Sequence, residues 1–152
     1  MNLEMKIKDL MKSDPLMVSP DESLAEVSKK MAKKGKDVVV VEDDGIVKGL
    51  VTAGDIYFAM KSYVIGKNMM EDIPLEIRDV KISELMKAPQ AMEFMEACGL
   101  TGSNVCIVLG EEDTAADAIR VMAMSGVDHI LIVGEDGVSG TLSDNDLIKV
   151  FK

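Results

Sequence analysis

Gly49, Thr52 and Asp55 return 91 positions later as Gly140, Ser143 and Asp146. Each triplet ends an apolar strand-like run and opens a helix-like one, in GIVKGLVTAGDIYFAM over 45–60 and GVSGTLSDNDLIKVF over 137–151. A chain that repeats itself at this spacing is expected to fold as two similar units. Below roughly 70–80 residues a single core supplies little stability, so each unit needs the other, sheet packed against sheet. The shared pattern G-x-x-[ST]-x-x-D sets a hydroxyl and a carboxylate three residues apart where strand hands over to helix. Two roles fit it: a capping box with Asp in place of Glu, or a grip on a polar ligand. The roles can coexist.

The first copy opens with a short amphipathic stretch, Met5–Met11, broken by Ser13-Asp14-Pro15. After the apolar run Leu16–Val18, Ser19-Pro20-Asp21-Glu22 has the parts of a helix start, with Ser19 as cap, Pro20 at the first position and Glu22 completing the box. Leu24, Val27 and Met31 follow at helical spacing with lysines opposite, and Gly35 closes the helix. The four valines 38–41 read as a strand buried on both faces. Asp43-Asp44-Gly45 turns it into a second strand, Ile46–Val51, as a hairpin. A second helix is expected from Asp55 to about Tyr63, and Tyr63–Val80 has no clear periodicity.

The order then recurs. Lys81-Ile82-Ser83-Glu84-Leu85-Met86 answers Lys6–Met11 at an offset of 75, whereas the helix Asp113–Met124 and the strands His129–Val133 and Val138–Leu142 answer theirs at 91. The 16-residue difference is an insertion between Met86 and Val105, in which Pro89–Cys98 reads as an extra helix carrying Met92, Met95 and Cys98 on one side.

Composition removes several function classes. The chain of 152 residues is 47% hydrophobic and 29% charged, enough for one ordinary domain or two small ones sharing a core. Aromatics are 3% against 13 methionines, so the core is expected to be aliphatic with Met filling gaps. No apolar run of about 18 residues offers a membrane span, and the N-terminus lacks a signal-peptide core, so a cytoplasmic protein is expected. Net charge is −10, from 17 basic and 27 acidic residues, which disfavours nucleic acid. The one basic cluster, Lys29, Lys30, Lys33, Lys34 and Lys36, reads as a solvated helix face. Cys98 and Cys106 have no metal-ligand spacing and read as reduced thiols. One histidine, no Cys-His pair and no P-loop leave no nucleophile, metal site or catalytic constellation, so no enzyme is expected.

With both motifs in view, the chain resembles a tandem pair of CBS domains, a Bateman module. The paired K-I-x-[DE]-L-M openings strengthen the likeness, which spans the chain except near 64–80 and 87–104. The fold expected is α/β (α+β), two β-α-β-β-α repeats packed as a pseudo-twofold pair: repeat 1 over 1–63, a linker over 64–80, and repeat 2 over 81–152 with an insertion near 87–104. The resemblance implies a regulatory module, commonly dimeric, that binds an adenosine derivative (AMP, ADP, ATP or an S-adenosylmethionine-like compound) in clefts between its repeats, with no other cofactor. Carried over by position, Asp55 and Asp146 would hold ribose hydroxyls, and Thr52 and Ser143 would contact ribose or phosphate. The loops lining the same clefts are Gly35, Lys36, Asp37 and Val38 in the first copy and Gly126, Val127, Asp128 and His129 in the second.

Physical chemistry supports that assignment independently. An ionised carboxylate accepts two hydrogen bonds from a vicinal diol, and a helix N-terminus suits phosphate, which Lys34 or Lys36 would neutralise. The second loop, Met124-Ser125-Gly126-Val127, has no base nearer than Arg120, and Asp144 and Asp146 would repel phosphate, so a sulfonium or uncharged adenosine compound would suit that site better. His129, standing where the first copy has Val38, reads as structural ahead of a base or phosphate contact. The competing reading is a ligand-free homodimeric interaction scaffold whose regulated protein partner the sequence does not name.

Overall fold

The computed structural model describes residues 1–69, 77–85 and 108–151. The expected helix at Pro89–Cys98 and both cysteines lie outside them. It is a mixed α+β structure with two small sheets.

One sheet has the order β2-β3-β4: β2 is Leu16–Val18, β3 Val38–Asp43 and β4 Ile46–Thr52. β2 runs parallel to β3, and helix α1 (Leu24–Lys34) makes the crossover. β3 and β4 form the expected antiparallel hairpin. Its turn uses Asp44 and Gly45, both at positive φ (51° and 76°), the twist that suits a two-residue hairpin loop. Val38, Val39, Val40 and Val41 are all buried, as a strand covered on both faces requires.

The second sheet repeats that arrangement and adds a strand, in the order β1-β7-β6-β5. Here β1 is Lys12–Ser13, β5 Leu109–Gly110, β6 His129–Gly134 and β7 Gly137–Ser143, with helix α4 (Ala115–Ser125) between β5 and β6. Even the irregularities correspond: the register slips between Val41 and Glu42 in one hairpin and between Ile132 and Val133 in the other.

Both crossover helices start later than the Ser19 pattern suggests. The cap of α1 is Ser23, whose side chain accepts from Glu26 N–H at 3.2 Å. Residues 19–22 instead form a closed turn in which Ser19 N–H donates to Glu22 Oε2 (2.7 Å). The counterpart turn has Gly110 N–H on Asp113 Oδ2 (2.7 Å), and Thr114 caps α4 in a reciprocal box with Asp117. The expectation that Ser19 caps α1 with Pro20 at its first position is corrected: Ser23 is the cap, and Ser19 and Glu22 tie a turn ahead of the helix. Helix α2, Ala53–Met69, also runs past Tyr63 into the expected linker. The first proline after it is Pro74, and the Gly66 within it costs only about 1 kcal/mol in a helix.

By contact the chain divides into two compact units, Leu16–Met92 and Met1–Pro15 with Glu93–Lys152. Each K-I-x-[DE]-L-M opening thus packs into the unit built by the other copy. Ile7 N–H donates to Asp113 O (2.9 Å) and Ile82 N–H, at the start of helix α3 (Ile82–Leu85), donates to Glu22 O (2.8 Å). Both isoleucines are fully buried. Ile7 and Leu10 join Ala115, Ala118, Ile130, Ile132, Leu142 and Val150 in one core. The methionines divide: Met31 is buried and Met5, Met11 and Met122 pack against the core just named, but Met60 and Met124 are exposed. The helical lysines Lys29, Lys30, Lys33 and Lys34 are exposed, as a solvated face requires.

Candidate functional site: two strand-to-helix turns

The hairpin register brings the expected site residues together within each copy. Val38 pairs with Thr52, and the Ala53 N–H at the head of α2 donates to Asp37 O (2.8 Å). In the other copy His129 pairs with Ser143, and Asp144 N–H donates to Asp128 O (3.0 Å). Gly35 and Gly126 make this approach feasible by ending their helices in the left-handed conformation (φ 63° and 70°). Lys34, the last residue of α1, and Gly35 are exposed, and Lys36 and Asp37 are half-buried. In the second loop Gly126 and Asp128 are exposed, Val127 and His129 half-buried. His129 Nδ1 lies 2.9 Å from Asp128 Oδ1.

Both motif pairs are reciprocal caps. Thr52 N–H donates to Asp55 Oδ2 (2.9 Å) and Asp55 N–H to Thr52 Oγ1 (3.1 Å). Ser143 N–H and Oγ–H donate to Asp146 Oδ2 (2.9 and 3.1 Å), and Asp146 N–H to Ser143 Oγ (3.3 Å). The capping role is present in both copies. It leaves the second carboxylate oxygen, Oδ1, to decide what else each aspartate does.

There the copies part. Asp55 is half-buried, while the Asp146 side chain is 5% exposed and its Oδ1 lies 3.4 Å from Lys12 Nζ and 4.0 Å from Lys149 Nζ. Arg120 is the nearest base in sequence to the Met124–Val127 loop, but the aspartate of the turn has nearer ones. Lys149 sits one helical turn on from Asp146, and the pairing of β1 with β7 delivers Lys12 across 134 positions. Arg120 is engaged by Asp117 instead (3.1 Å). With two ammonium groups against Asp146, the argument that this turn repels phosphate loses its basis. Nothing in the sequence singled out Lys12, because only the pairing of β1 with β7 brings it to Asp146.

Beside the first turn, Ser28, Met31, Lys36, Ala53, Ile56, Tyr57 and Met60 line an open, mainly apolar cavity of about 240 Å³. Of the expected ligand residues it includes Lys36, and it does not include Thr52 or Asp55. Among the described residues no cluster of three or more His, Cys, Asp or Glu could hold a metal ion, and no helix is long and apolar enough to cross a membrane.

Comparison with known proteins gives the same pattern. The CBS-domain family model matches residues 7–62 and 103–152. The CBS domain-containing protein MJ0729 of Methanocaldococcus jannaschii is 27% identical over 150 residues, covering 97% of this chain and 96% of that protein. Protein MJ1225 of the same organism shares the fold at TM-score 0.67 and 20% identity over the whole of this chain, which spans about half (49%) of its length. The CBS domain pair of protein MJ0100, solved with 5′-methylthioadenosine and S-adenosyl-L-methionine, has TM-score 0.67 at 18% identity over 97% of this chain and 95% of that one. CBSX2, solved with AMP, has TM-score 0.61 at 16% identity over 97% and 96%. Two family matches that cover both copies of the motif, on a fold shared with CBS-domain structures, establish that this chain belongs to the CBS-domain family.

Proposed function

We propose that the protein is a regulatory module that binds an adenosine derivative at a strand-to-helix turn, as a cytoplasmic homodimer without catalytic activity of its own. The observation that carries the reading is the half-buried Asp55 carboxylate at the head of α2. One of its oxygens is committed to Thr52 N–H, and the loop Gly35–Val38 is tied alongside through Asp37. The oxygen left over can accept charge-assisted hydrogen bonds from a ribose diol. Lys36, at the edge of the same turn, supplies a cation for phosphate. The AMP complex of CBSX2 and the 5′-methylthioadenosine and S-adenosyl-L-methionine complex of MJ0100 support the ligand class.

The test is a thermal-shift screen of AMP, ADP, ATP, S-adenosylmethionine and 5′-methylthioadenosine, followed by calorimetry. A binder at 100 times its Kd stabilises by about 2.7 kcal/mol, worth roughly 5–10 °C for a chain of this size. Asp55→Asn keeps a capping side chain and is expected to weaken binding at least tenfold. A flat screen, or unchanged binding in Asp55→Asn, overturns the reading.

The scaffold reading is favoured by a separate observation. Helix α2 exposes Tyr57, Phe58, Met60 and Ile65, an apolar set that a surface helix does not usually offer to water. A dimer that persists without nucleotide and dissociates in Tyr57→Glu/Phe58→Glu, alongside a flat screen, selects it.

A further inference from the structure

The second turn leaves little for a ligand to hold. Asp146 Oδ2 takes Ser143 N–H and Oγ–H, and Oδ1 faces Lys12 and Lys149. The amides that open helix α5 (Asp144–Leu147) are committed as well: Asp144 N–H to Asp128 O (3.0 Å), Asn145 N–H to Asp144 Oδ1 (2.7 Å) and Asp146 N–H to Ser143 Oγ (3.3 Å). The carboxylate and the helix N-terminus, the two features that recommend such a turn to ribose and phosphate, are both consumed by the chain.

What consumes the carboxylate is the N-terminal segment. β1 pairs with β7 through Lys12↔Thr141 and Ser13↔Gly140, which sets the Lys12 side chain beside Asp146. Lys149 ties the same segment from the other direction, donating from Nζ to Leu10 O (2.9 Å) while standing 4.0 Å from Asp146 Oδ1. An almost fully buried carboxylate with both oxygens occupied is costly to strip of its partners, because the charge would be left uncompensated. A ribose diol is neutral and would have to displace two ammonium groups to reach it.

We propose that Asp146 is an internal latch. It anchors residues 10–13 onto β7 through Lys12 and Lys149, so that ligand binding falls to the Thr52–Asp55 turn alone. The two copies are built to differ here. Position 149 corresponds to Phe58 in the first copy and Asn145 to Gly54, so the first turn has neither the second ammonium nor the same self-bonded cap. Lys87, the counterpart of Lys12, lies outside the described residues.

The latch is a property of the fold. Only its consequence for stoichiometry rests on the function proposed above, and the experiment separates the two. Hydrogen exchange is measured on the full chain as wild type, Asp146→Asn and Lys12→Met, and each protein is titrated calorimetrically with AMP and with S-adenosylmethionine. Amides of residues 10–13 are expected to exchange roughly tenfold faster in both variants. Ligand affinity should change less than twofold in these two variants, with one ligand per chain throughout, and Asp55→Asn should weaken that binding at least tenfold. Unchanged exchange at residues 10–13, or a wild-type stoichiometry of two that Asp146→Asn reduces to one, overturns the latch. Lys12→Met leaves the Ser143–Asp146 cap in place and carries the test if Asp146→Asn folds poorly. If the wild type binds neither compound, the adenosine reading falls, and exchange alone supports or rejects the latch.

Discussion

A serine three residues ahead of an acidic side chain does two different jobs around the start of α1, and neighbours decide which. At Ser23 the hydroxyl caps α1, with Glu26 supplying the donor amide. At Ser19 the same spacing closes a turn, because Glu22 is also held by Lys30. Ser23→Ala is therefore expected to cost about 1 kcal/mol of unfolding free energy, and Ser19→Ala less than about 0.5 kcal/mol, a difference that urea denaturation resolves. Acid sensitivity belongs at this scale too. The Thr114 N–H, then the Thr114 hydroxyl and Arg120, hold the Asp117 carboxyl below the ordinary carboxylate value. For Glu22, burial pushes the pKa up, but the bonds from Lys30 and the Ser19 amide outweigh it and the net direction is down. A carboxyl depressed in the folded state stabilises above its unfolded pKa, near 4, and loses that contribution as pH falls through its folded value. Asp117→Asn should lower stability in the neutral region, where the depressed carboxyl contributes, and flatten the acid limb so that variant and wild type converge at low pH, as denaturation midpoints between pH 2 and 7 will show.

Elements in this protein are joined by contacts that demand particular residues. Gly140 is the clearest case: a Cβ there would lie 2.4 Å from Lys12 O, inside van der Waals contact. The motif glycine of the second copy is needed because β1 crosses it. Gly140→Ala should lift β1 from β7 at a cost of about 1–3 kcal/mol, read as a lower denaturation midpoint with faster exchange at Lys12 and Ser13. Paired β-strands at such close approach have no slack to absorb a methyl group, unlike the hairpin turn at Gly45, where a Cβ would meet nothing within 4 Å and only the positive φ selects glycine.

At the scale of the whole molecule, exchanged openings make each unit depend on residues remote in the chain. Ile7 is buried in the core that Ile130, Ile132 and Leu142 build, and Ile82 is equally buried in the Leu16–Met92 unit. Ile7→Ala and Ile82→Ala are each expected to cost about 2–5 kcal/mol. Deleting residues 1–15 should raise exchange in β6 and β7 before it does so in β3 and β4. The opposite order would show that the opening supports the copy that follows it in the chain.

The repeat, the hairpins, the helix-closing glycines and the two motif turns were all legible in the residues, because each is set by neighbours within a few positions: a φ sign, a cap, an alternation of apolar side chains. The correspondence of Asp37–Val38 with Asp128–His129 followed from the same local rules, and hairpin register then placed those loops against Thr52 and Ser143. The start of α1 and the length of α2 were misjudged, since several local patterns satisfied the same cap rules and no proline stopped the second helix. Sequence could not supply the partner of Asp146. Lys12 reaches it only after a two-residue strand has paired with β7, and contacts of that range are decided by packing and chain closure. Tertiary structure decided how the two look-alike motifs differ: one carboxylate half-buried at the head of α2, the other buried under the N-terminal segment through Lys12.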